Sequence, residues 1–236
     1  MKFKKLFIIS IVFFSFLGIN NDSMAESRLI LGINPDYKTF DPGHAYEIWA
    51  TTVLNVTYDN LVKFEGNGDI PELDAAMSRR ASSDGLTWTF KLRDDIFFVS
   101  GNKLTSADVK WSFDRVKHLK GNPAFLADNV ESVSAPDKST VIIKLKKTDS
   151  SFISKLATPA FAILDSKTVK AMGGASGKGA SDKDNVKDGL NQLSAGSGPY
   201  ILKSFVPDSE VILVKNKKYR SNVPGADRIH LRSMAE

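Results

Sequence analysis

The strongest constraint on the fold is a series of short strand-like segments bounded by turn signals. Residues Thr87–Leu92 alternate polar and apolar side chains with period two, directly after the turn signal Asp84-Gly85. Two further pairs of segments are rich in branched and aromatic residues and predict hairpins. They are 130–134 with Thr140–Leu145, and 200–205 with Glu210–Lys215. The chain therefore needs sheets in which sequence neighbours pair antiparallel.

Helical spacing occurs as well, so the sequence predicts an α/β (mixed α+β) fold. Between residues 47 and 61, the side chains of Ile48, Thr52, Asn55 and Asp59 fall on one face of a helix. Apolar side chains occupy the opposite face. This segment is predicted to be an amphipathic helix.

A capping box predicts the start of a second helix. Thr105 is placed as the N-cap, and the carboxylate of Asp108 can reach back to the amide of that residue. The helix is predicted over Ser106–Leu119. Shorter predicted elements are a buried strand at Arg28–Ile33, a small hairpin at 61–73, a helix at 152–157 and a last strand at 228–232.

Residues 171–198 differ in amino-acid composition from the rest of the chain. The run 173–181 consists of glycine, alanine, serine and one lysine, so we predict a mobile surface loop that buries little. The run does not fit a phosphate-binding loop. Lys178 is followed by Gly179 instead of serine or threonine, and Met172 stands where the earlier glycine is required.

Residues 1–25 have the pattern of a secretory signal peptide. Three lysines precede an apolar run at 6–19, and Ser23-Met24-Ala25 supplies the small residues of a cleavage site after Ala25. The apolar run is shorter than the roughly 20 residues that a membrane-spanning helix needs. We expect an exported protein with no integral membrane segment after cleavage. With no cysteine for a lipid anchor, we expect it in the periplasm, and secretion into the medium is the alternative.

The charge balance gives no reason to expect nucleic acid as a partner. Cleavage after Ala25 would remove three lysines and one aspartate and lower the formal net charge from +5 to +3. The remaining lysines are scattered and are typical of solvated faces. We expect a monomer with a globular core.

The sequence offers no catalytic constellation. His44, His118 and His230 do not stand in metal-ligand spacing, and the chain has no thiol nucleophile. The serine at position 176 lacks the Gly-X-Ser-X-Gly spacing of a nucleophile elbow. We therefore expect no catalytic residue, no metal and no cofactor.

Four stretches of sequence share one order and spacing with a known family. They are Phe40-Asp41-Pro42; residues 84–98; Leu104-Thr105-Ser106-Ala107-Asp108-Val109 with Ser112-Phe113; and Gly196-Ser197-Gly198-Pro199-Tyr200 with Asn216 and Tyr219. In this order they resemble the extracellular solute-binding proteins of family 5, which serve ABC importers of dipeptides, oligopeptides and related solutes. Together the stretches span nearly the whole chain after the predicted signal peptide.

The chain departs from the usual family pattern in two places. Phe98-Val99-Ser100-Gly101 stands where the family usually has His-X-Gly or a similar pair. Arg220 stands where the family usually has a tryptophan, directly after the tyrosine that matches Tyr219. We expect neither change to touch the ligand cleft.

The resemblance implies a periplasmic-binding-protein-like class II fold with an inserted domain. It assigns residues 26–70 and 195–236 to a discontinuous ligand-binding domain I, and residues 71–194 to an inserted domain II. Members of the family are much longer, so the resemblance covers their amino-terminal half. We expect a truncated first lobe with domain III absent.

The resemblance also implies ligand capture without chemistry. Two lobes close on a peptide, and the closed form docks transiently on an ABC permease at the inner membrane. A strand edge after Asp41-Pro42 and one aromatic residue match ligand-contacting positions of the family. They are Ala45, Tyr46, Glu47, Ile48 and Phe125. Each has a structural alternative, such as a helix start for Glu47 and a satellite core contact for Phe125.

The sequence leaves the ligand open among dipeptides, oligopeptides, opines, nickel chelates and haem. Another function is consistent with the expected truncation. A periplasmic remnant with unpaired strand edges and exposed apolar surface would bind non-native chains in the manner of a holdase. We expect such a one-walled chain to bind peptides no tighter than about millimolar, roughly 4 kcal/mol.

Overall fold

The computed structural model describes residues 26–221 and 225–234. The predicted signal peptide lies outside these residues. Within the described part, the α/β (mixed α+β) fold is confirmed. In these two ranges no helix has the length and apolarity needed to cross a membrane.

Strands outnumber helices in the described part of the chain, and the longest helix is in the middle. The strands are Arg28–Ile33 (β1), Val62–Lys63 (β2), Glu72–Leu73 (β3), Ala76–Ala81 (β4), Thr87–Leu92 (β5), Val130–Asp137 (β6), Thr140–Leu145 (β7), Tyr200–Val206 (β8), Glu210–Lys215 (β9) and Arg228–Ser233 (β10). The helices are Ile48–Thr57 (α1), Ser106–Leu119 (α2), Phe152–Leu156 (α3), Ser166–Ala171 (α4) and Ala180–Lys183 (α5). Short 3-10 helices lie at Asn122–Ala127, Pro159–Phe161 and Gly189–Asn191.

One hydrophobic core forms on a four-stranded antiparallel sheet with the strand order β4-β5-β7-β6. Helix α2 packs on this sheet through Val109 and Phe113, which are buried with Phe90 and Ile143. The alternation in β5 that predicted the strand places Phe90 and Leu92 in this core. The periodic pattern therefore predicted both the strand and its buried face.

A second core forms on a four-stranded sheet with the order β1-β10-β9-β8. Strand β1 is parallel to β10, whereas β10, β9 and β8 are antiparallel neighbours. Helix α1 contributes Val53 and Leu54 to this core. Trp111 of α2 belongs to it as well, so α2 is shared between the two cores.

The predicted hairpins and the predicted capping box are confirmed. Strands β6 with β7 and β8 with β9 pair antiparallel, as do the two-residue strands β2 and β3. The Asp108 carboxylate accepts from the backbone N–H and the hydroxyl of Thr105, at 2.9 and 2.7 Å. Its other oxygen accepts from the hydroxyl of Ser166 at 2.7 Å, which joins α2 to α4. The cap is therefore also a tertiary contact.

The prediction that Arg28–Ile33 is a buried strand is half wrong. The bounds of the strand are correct, but five of its six residues are exposed. Among the described residues β1 pairs only with β10, so it lies at the edge of its sheet. A run of branched apolar residues indicates a strand, but it does not show whether both faces are covered.

The sequence predicts that the run 173–181 is a surface loop that buries little, and within this run only Ala180 is buried. Val186 and Leu190, which follow the run, are buried in the second core. The side-chain oxygen of Asn191 accepts from the backbone N–H of Phe40 at 2.7 Å. The glycine-rich composition predicted a loop correctly, but the residues that follow the glycines attach the segment to the core.

Candidate ligand-binding groove

A tight turn ahead of α1 positions the residues that the sequence selected as a binding site. The carbonyl oxygen of Asp41 accepts from the backbone N–H groups of His44 and Ala45, at 2.9 and 2.8 Å. The Asp41 carboxylate accepts from the N–H of Gly43 at 2.9 Å. The predicted strand edge is therefore a turn that leads into a helix.

The first turn of α1 is capped from a distance. The carboxylate of Asp36 accepts from the N–H groups of Ile48 and Trp49, both at 3.2 Å. The Glu47 carboxylate instead accepts from the N–H of Tyr46 at 3.0 Å. A carboxylate near these amides also favours the positive end of the helix. The structural alternative considered for Glu47, a residue at the helix start, matches this geometry.

The four predicted positions after the turn differ in exposure. Ala45 is buried, whereas Tyr46 and Ile48 are 54% and 76% exposed. Ala45, Tyr46 and Ile48 line a groove of about 530 Å³, and Glu47 does not. Three of the four residues therefore share one concave surface.

The groove lies between α1 and residues 157–160, which follow α3. Its walls are mainly apolar or carry small polar groups. They are formed by Ala45, Tyr46, Ile48, Thr51, Thr52, Asn55, Phe64, Leu126, Ala157, Thr158, Pro159 and Ala160. The helix face that the sequence predicted through Ile48, Thr52 and Asn55 is the face that borders the groove.

Phe125 extends the aromatic wall of the groove. Its ring packs edge to face against Tyr46, with 5.6 Å between the ring centroids. Phe125 is 53% exposed, so it is not a core contact. Beyond it lies an open depression that Lys146, Lys147 and Lys155 help to line. The structure thus brings four of the five predicted site residues together.

A smaller cavity of about 170 Å³ adjoins the groove and shares Asn55, Phe64 and Ala157 with it. The carboxylates of Asp59 and Asp74 lie on its walls. Arg220 bridges them, with donor–acceptor distances of 2.7 Å to Asp59 and 2.5 Å to Asp74. Arg220, which was expected to lie away from the ligand cleft, therefore contacts two residues of the cavity next to the groove.

Burial and charge act in opposition on Asp59. Desolvation, followed by the neighbouring charge of Asp74, raises the pKa of Asp59 to about 6, while Arg220 opposes the rise. Burial also raises the pKa of the nearby Tyr219 phenol. Both groups thus titrate differently from their exposed counterparts.

A second buried arginine fixes the turn from behind. Arg115 of α2 donates to both oxygens of Asp41 at 2.7 Å and to Asp184 at 2.7 and 2.8 Å. Burial alone would lower the pKa of Arg115, but the two carboxylates hold it above the usual value. The guanidinium therefore stays charged and holds together the turn, α2 and the segment after α5.

Sequence reasoning missed part of the groove because other segments supply it. Phe64 follows β2, Leu126 lies in a 3-10 helix, and residues 157–160 follow α3. Of these residues, only Phe64 could have been recognised locally as a binding residue, because an aromatic side chain stands there beside a predicted turn. In the described ranges, no cluster of histidine and acidic side chains is arranged to hold a metal ion.

Comparison with known proteins identifies a family with this fold. The family model described as bacterial extracellular solute-binding proteins, family 5 Middle, matches residues 71–236. The probable D,D-dipeptide-binding periplasmic protein DdpA of Escherichia coli K12 is 28% identical over 233 residues, which are 97% of this chain and 43% of that protein. The glutathione-binding protein GsiB of the same strain is 28% identical, covering 91% of this chain and 40% of that protein. The chain thus spans about two fifths of the length of these relatives.

Solved structures have the same fold. The binding protein MoaA from A. tumefaciens R10, in complex with mannopinic acid, aligns with a TM-score of 0.76 at 26% identity, over 89% of this chain and 41% of that one. The periplasmic binding protein DppA from Helicobacter pylori, in complex with the peptide STSA, aligns with a TM-score of 0.75 at 22% identity, over 89% and 43% of the two chains. The class II fold that the resemblance implied is confirmed over the described residues.

Proposed function

The chain belongs to the bacterial extracellular solute-binding proteins of family 5, and from this membership we propose that it is a substrate-binding component of an ABC importer for short peptides. Members of the family are binding proteins. The proposed partners are a peptide ligand and a permease at the inner membrane. We propose that the groove beside α1 is the wall that contacts the ligand.

One observation carries the assignment of the site. The groove is concave, mainly apolar and bordered by two exposed aromatic rings, Tyr46 and Phe125, that pack on each other. Binding sites commonly combine an apolar lining with a few polar groups. Thr51, Thr52 and Asn55 supply side-chain hydrogen-bonding groups at one wall. Such a surface holds an extended peptide without strict demands on its side chains.

The relatives support peptides as the ligand class. The two relatives are named for binding a D,D-dipeptide and glutathione, and one solved structure holds the peptide STSA. Opines are the alternative, because the MoaA structure holds mannopinic acid. An anionic opine would depend on Lys146 and Lys147 near Phe125, because the ammonium of Lys155 already pairs with Asp149 at 2.7 Å.

Removing an aromatic ring from the groove is expected to weaken peptide binding. Tyr46→Ala should raise the Kd for trialanine roughly three- to tenfold, because losing about 30–55 Å² of apolar contact with the ligand at about 25 cal/mol per Å² costs about 0.7–1.4 kcal/mol. For the native chain we expect a Kd of about millimolar, since groups at a groove open to water bind against competing solvent. The measurement is an NMR titration of residues 26–236 with trialanine.

A matched control separates the groove from the rest of the surface. Phe97 is 48% exposed, close to the 53% of Phe125, and does not line the groove. Phe125→Ala should weaken trialanine binding, and Phe97→Ala should leave it unchanged. Equal effects of the two substitutions, or chemical-shift changes that avoid residues 45–52, would refute the site.

We also propose that the protein is exported to the periplasm and cleaved after Ala25. The sequence pattern of residues 1–25 and the periplasmic naming of the relative DdpA support this proposal. Mass spectrometry of a periplasmic fraction is expected to find Glu26 as the amino terminus. A chain that retains Met1, or that stays with membranes after a salt wash, would contradict it.

A further inference from the structure

We propose that the depression beyond Phe125 is a subsite for a carboxylate of the ligand, and that Lys146 and Lys147 bind this group. The subsite rests on the proposed function, because it receives a group of the ligand that lies in the groove beside α1. It adds a charge preference to that function. The preferred ligands are short peptides that carry a carboxylate at the Phe125 end of the groove.

The depression continues the groove past its aromatic wall. It has a volume of about 440 Å³ and shares Leu126 with the groove. Phe125 lines the depression and packs edge to face on Tyr46, which lines the groove. A ligand that lies in the groove and passes the Phe125 ring therefore places its next group in the depression.

Asn129 fixes the backbone of both lysines. Its carbonyl oxygen accepts from the N–H of Lys146 at 2.9 Å, and its side-chain oxygen accepts from the N–H of Lys147 at 3.2 Å. Its side-chain amide donates to the carbonyl oxygen of Lys147 at 2.9 Å. Asn129 directly precedes β6, and Lys146 directly follows β7. These bonds therefore extend the pairing of β6 and β7 to the two lysines.

The positive charge of the depression is only partly compensated. Three lysines and two aspartates line it. One pair of these is closed, because Lys155 donates to Asp149 at 2.7 Å. Lys146 and Lys147 remain, with Asp128 as the other charged group of the lining. Among the described residues, the ammonium groups of these two lysines form no ion pair, so both can bind an anion from the ligand.

A fourth lysine adds positive charge behind the depression. Lys117 of α2 donates to the carbonyl oxygen of Glu131 at 3.0 Å, while the Glu131 carboxylate pairs with Lys144 at 3.3 Å. Burial, followed by the charge of Lys146, lowers the pKa of Lys117, although nearby carboxylates oppose this shift. Like charges therefore lie close together here, and a bound carboxylate reduces their repulsion.

Two groups of a peptide can supply the carboxylate, its carboxyl terminus or an acidic side chain. A lysine ammonium is a compact charge with three donors, so it binds a carboxylate from either source. Pairs between exposed charges are weak and are screened by salt. We therefore expect a preference of about two- to fivefold at low salt, and not a strict requirement.

Isosteric peptides test an acidic side chain as the source. The Kd values of Glu-Ala-Ala and Ala-Ala-Glu are compared with those of Gln-Ala-Ala and Ala-Ala-Gln, in NMR titrations of residues 26–236 at about 20 mM salt. If a side chain occupies the subsite, one glutamate peptide binds about two- to fivefold more tightly than its glutamine counterpart. The double variant Lys146→Gln/Lys147→Gln should lose this difference, and about 0.5 M salt should remove most of it from the native chain.

Trialanine and trialanine amide test the carboxyl terminus as the source. If the terminus occupies the subsite, amidation raises the Kd about two- to fivefold in the native chain and leaves it unchanged in the double variant. A charge effect that depends on the two lysines, in either comparison, supports the subsite and identifies the source of the carboxylate. The lack of such an effect in both comparisons would overturn the subsite.

A second lysine pair provides the matched control. Lys217 and Lys218 are adjacent and exposed, and they line a different depression, beside β8 and β9. Lys217→Gln/Lys218→Gln lowers the net charge by the same amount, so it should retain the native preference for carboxylates. An equal loss in both double variants would show that the preference comes from the overall charge of the protein, and the subsite would be disproved.

Glutarate separates the subsite from the groove, because it carries carboxylates but no peptide bond. It should shift the amide signals of Asn129, Lys146 and Lys147 in the native chain, and the Asn129 signal should not move in the double variant. If these shifts occur while trialanine leaves residues 45–52 unchanged, the proposed function fails, whereas the lysine site for carboxylates stands. If trialanine shifts residues 45–52 without any charge preference, the subsite fails and the groove stands. The absence of both responses refutes both.

Discussion

Replacing Arg115 with methionine is expected to reduce the free energy of unfolding by about 3–5 kcal/mol or more, enough to abolish stable folding. The guanidinium is 1% exposed, and the carboxylates of Asp41 and Asp184 are 0% and 1% exposed. Methionine fills much of the volume but leaves two carboxylates buried without a cation. Such groups cost several kcal/mol each, or bind protons instead.

Lysine is not expected to rescue this position. Arg115 makes its contacts to the two carboxylates through three nitrogens in one plane. A lysine ammonium is a compact charge that cannot pair with two carboxylates in this fork geometry. The Arg115→Lys variant should therefore remain strongly destabilised, although it keeps the charge.

Denaturant unfolding of three variants distinguishes lost charge compensation from lost packing. Arg28→Met removes an arginine whose side chain is 62% exposed and pairs with Glu26, so it should change stability by no more than about 1 kcal/mol. Adding Asp184→Asn to Arg115→Met should restore part of the loss, because one buried charge is removed. A stability of Arg115→Met within about 1 kcal/mol of the native chain would contradict the assignment.

The cluster of Arg115, Asp41 and Asp184 also fixes the position of the aromatic side chains at the groove. Asp41 shapes the turn that carries Tyr46, and Arg115 lies on the helix that leads to Phe125. The end of that helix touches the turn, because a Cβ on Gly121 would lie 2.0 Å from the carbonyl oxygen of Gly43. Both rings of the aromatic wall therefore depend on contacts made behind the groove.

The sequence predicted the local elements well because their causes are local. The period-two pattern of β5, the Thr105 capping box and the hairpin turn before β9 depend on neighbouring residues alone. At the Pro207-Asp208-Ser209 turn, Asp208 has a φ of 56°, a conformation that aspartate tolerates better than most residues. Such signals can be read without knowing the tertiary structure.

The missed features depend on contacts between distant residues. Arg115 and Asp184 are 69 residues apart, and Arg220 and Asp59 are 161 apart. No local pattern distinguishes these pairs from the many other charged side chains of the chain. The exposure of β1 was missed for a similar reason, because its neighbour β10 lies 200 residues away. For the groove, the turn and the face of α1 could be predicted, but the opposite wall at 157–160 could not.

The second large loss of stability is expected from substitution in the Gly196-Ser197-Gly198 motif. Gly196 and Gly198 bracket Ser197 ahead of β8, and both lie against the backbone at the end of α1. A Cβ on Gly196 would be 2.1 Å from the carbonyl oxygen of Thr57, and one on Gly198 would be 2.6 Å from the carbonyl carbon. The N–H of Gly198 donates to that oxygen at 3.1 Å. These glycines are required for close backbone packing, and neither has a positive φ.

Gly196→Ala is therefore expected to destabilise the protein by about 3 kcal/mol or more, because overpacking against an atom that cannot move costs at least 1–3 kcal/mol. The atom it meets is backbone at the end of a helix whose other face lines the groove, so relief would require a shift of α1. Gly177→Ala is the control. Gly177 has a φ of 72° and open space around it, so alanine there should cost only the backbone strain, about 1–2 kcal/mol. Thermal unfolding of both variants measures the difference. Equal losses would show that the end of α1 yields to the added methyl group, and that the motif does not fix the position of the helix.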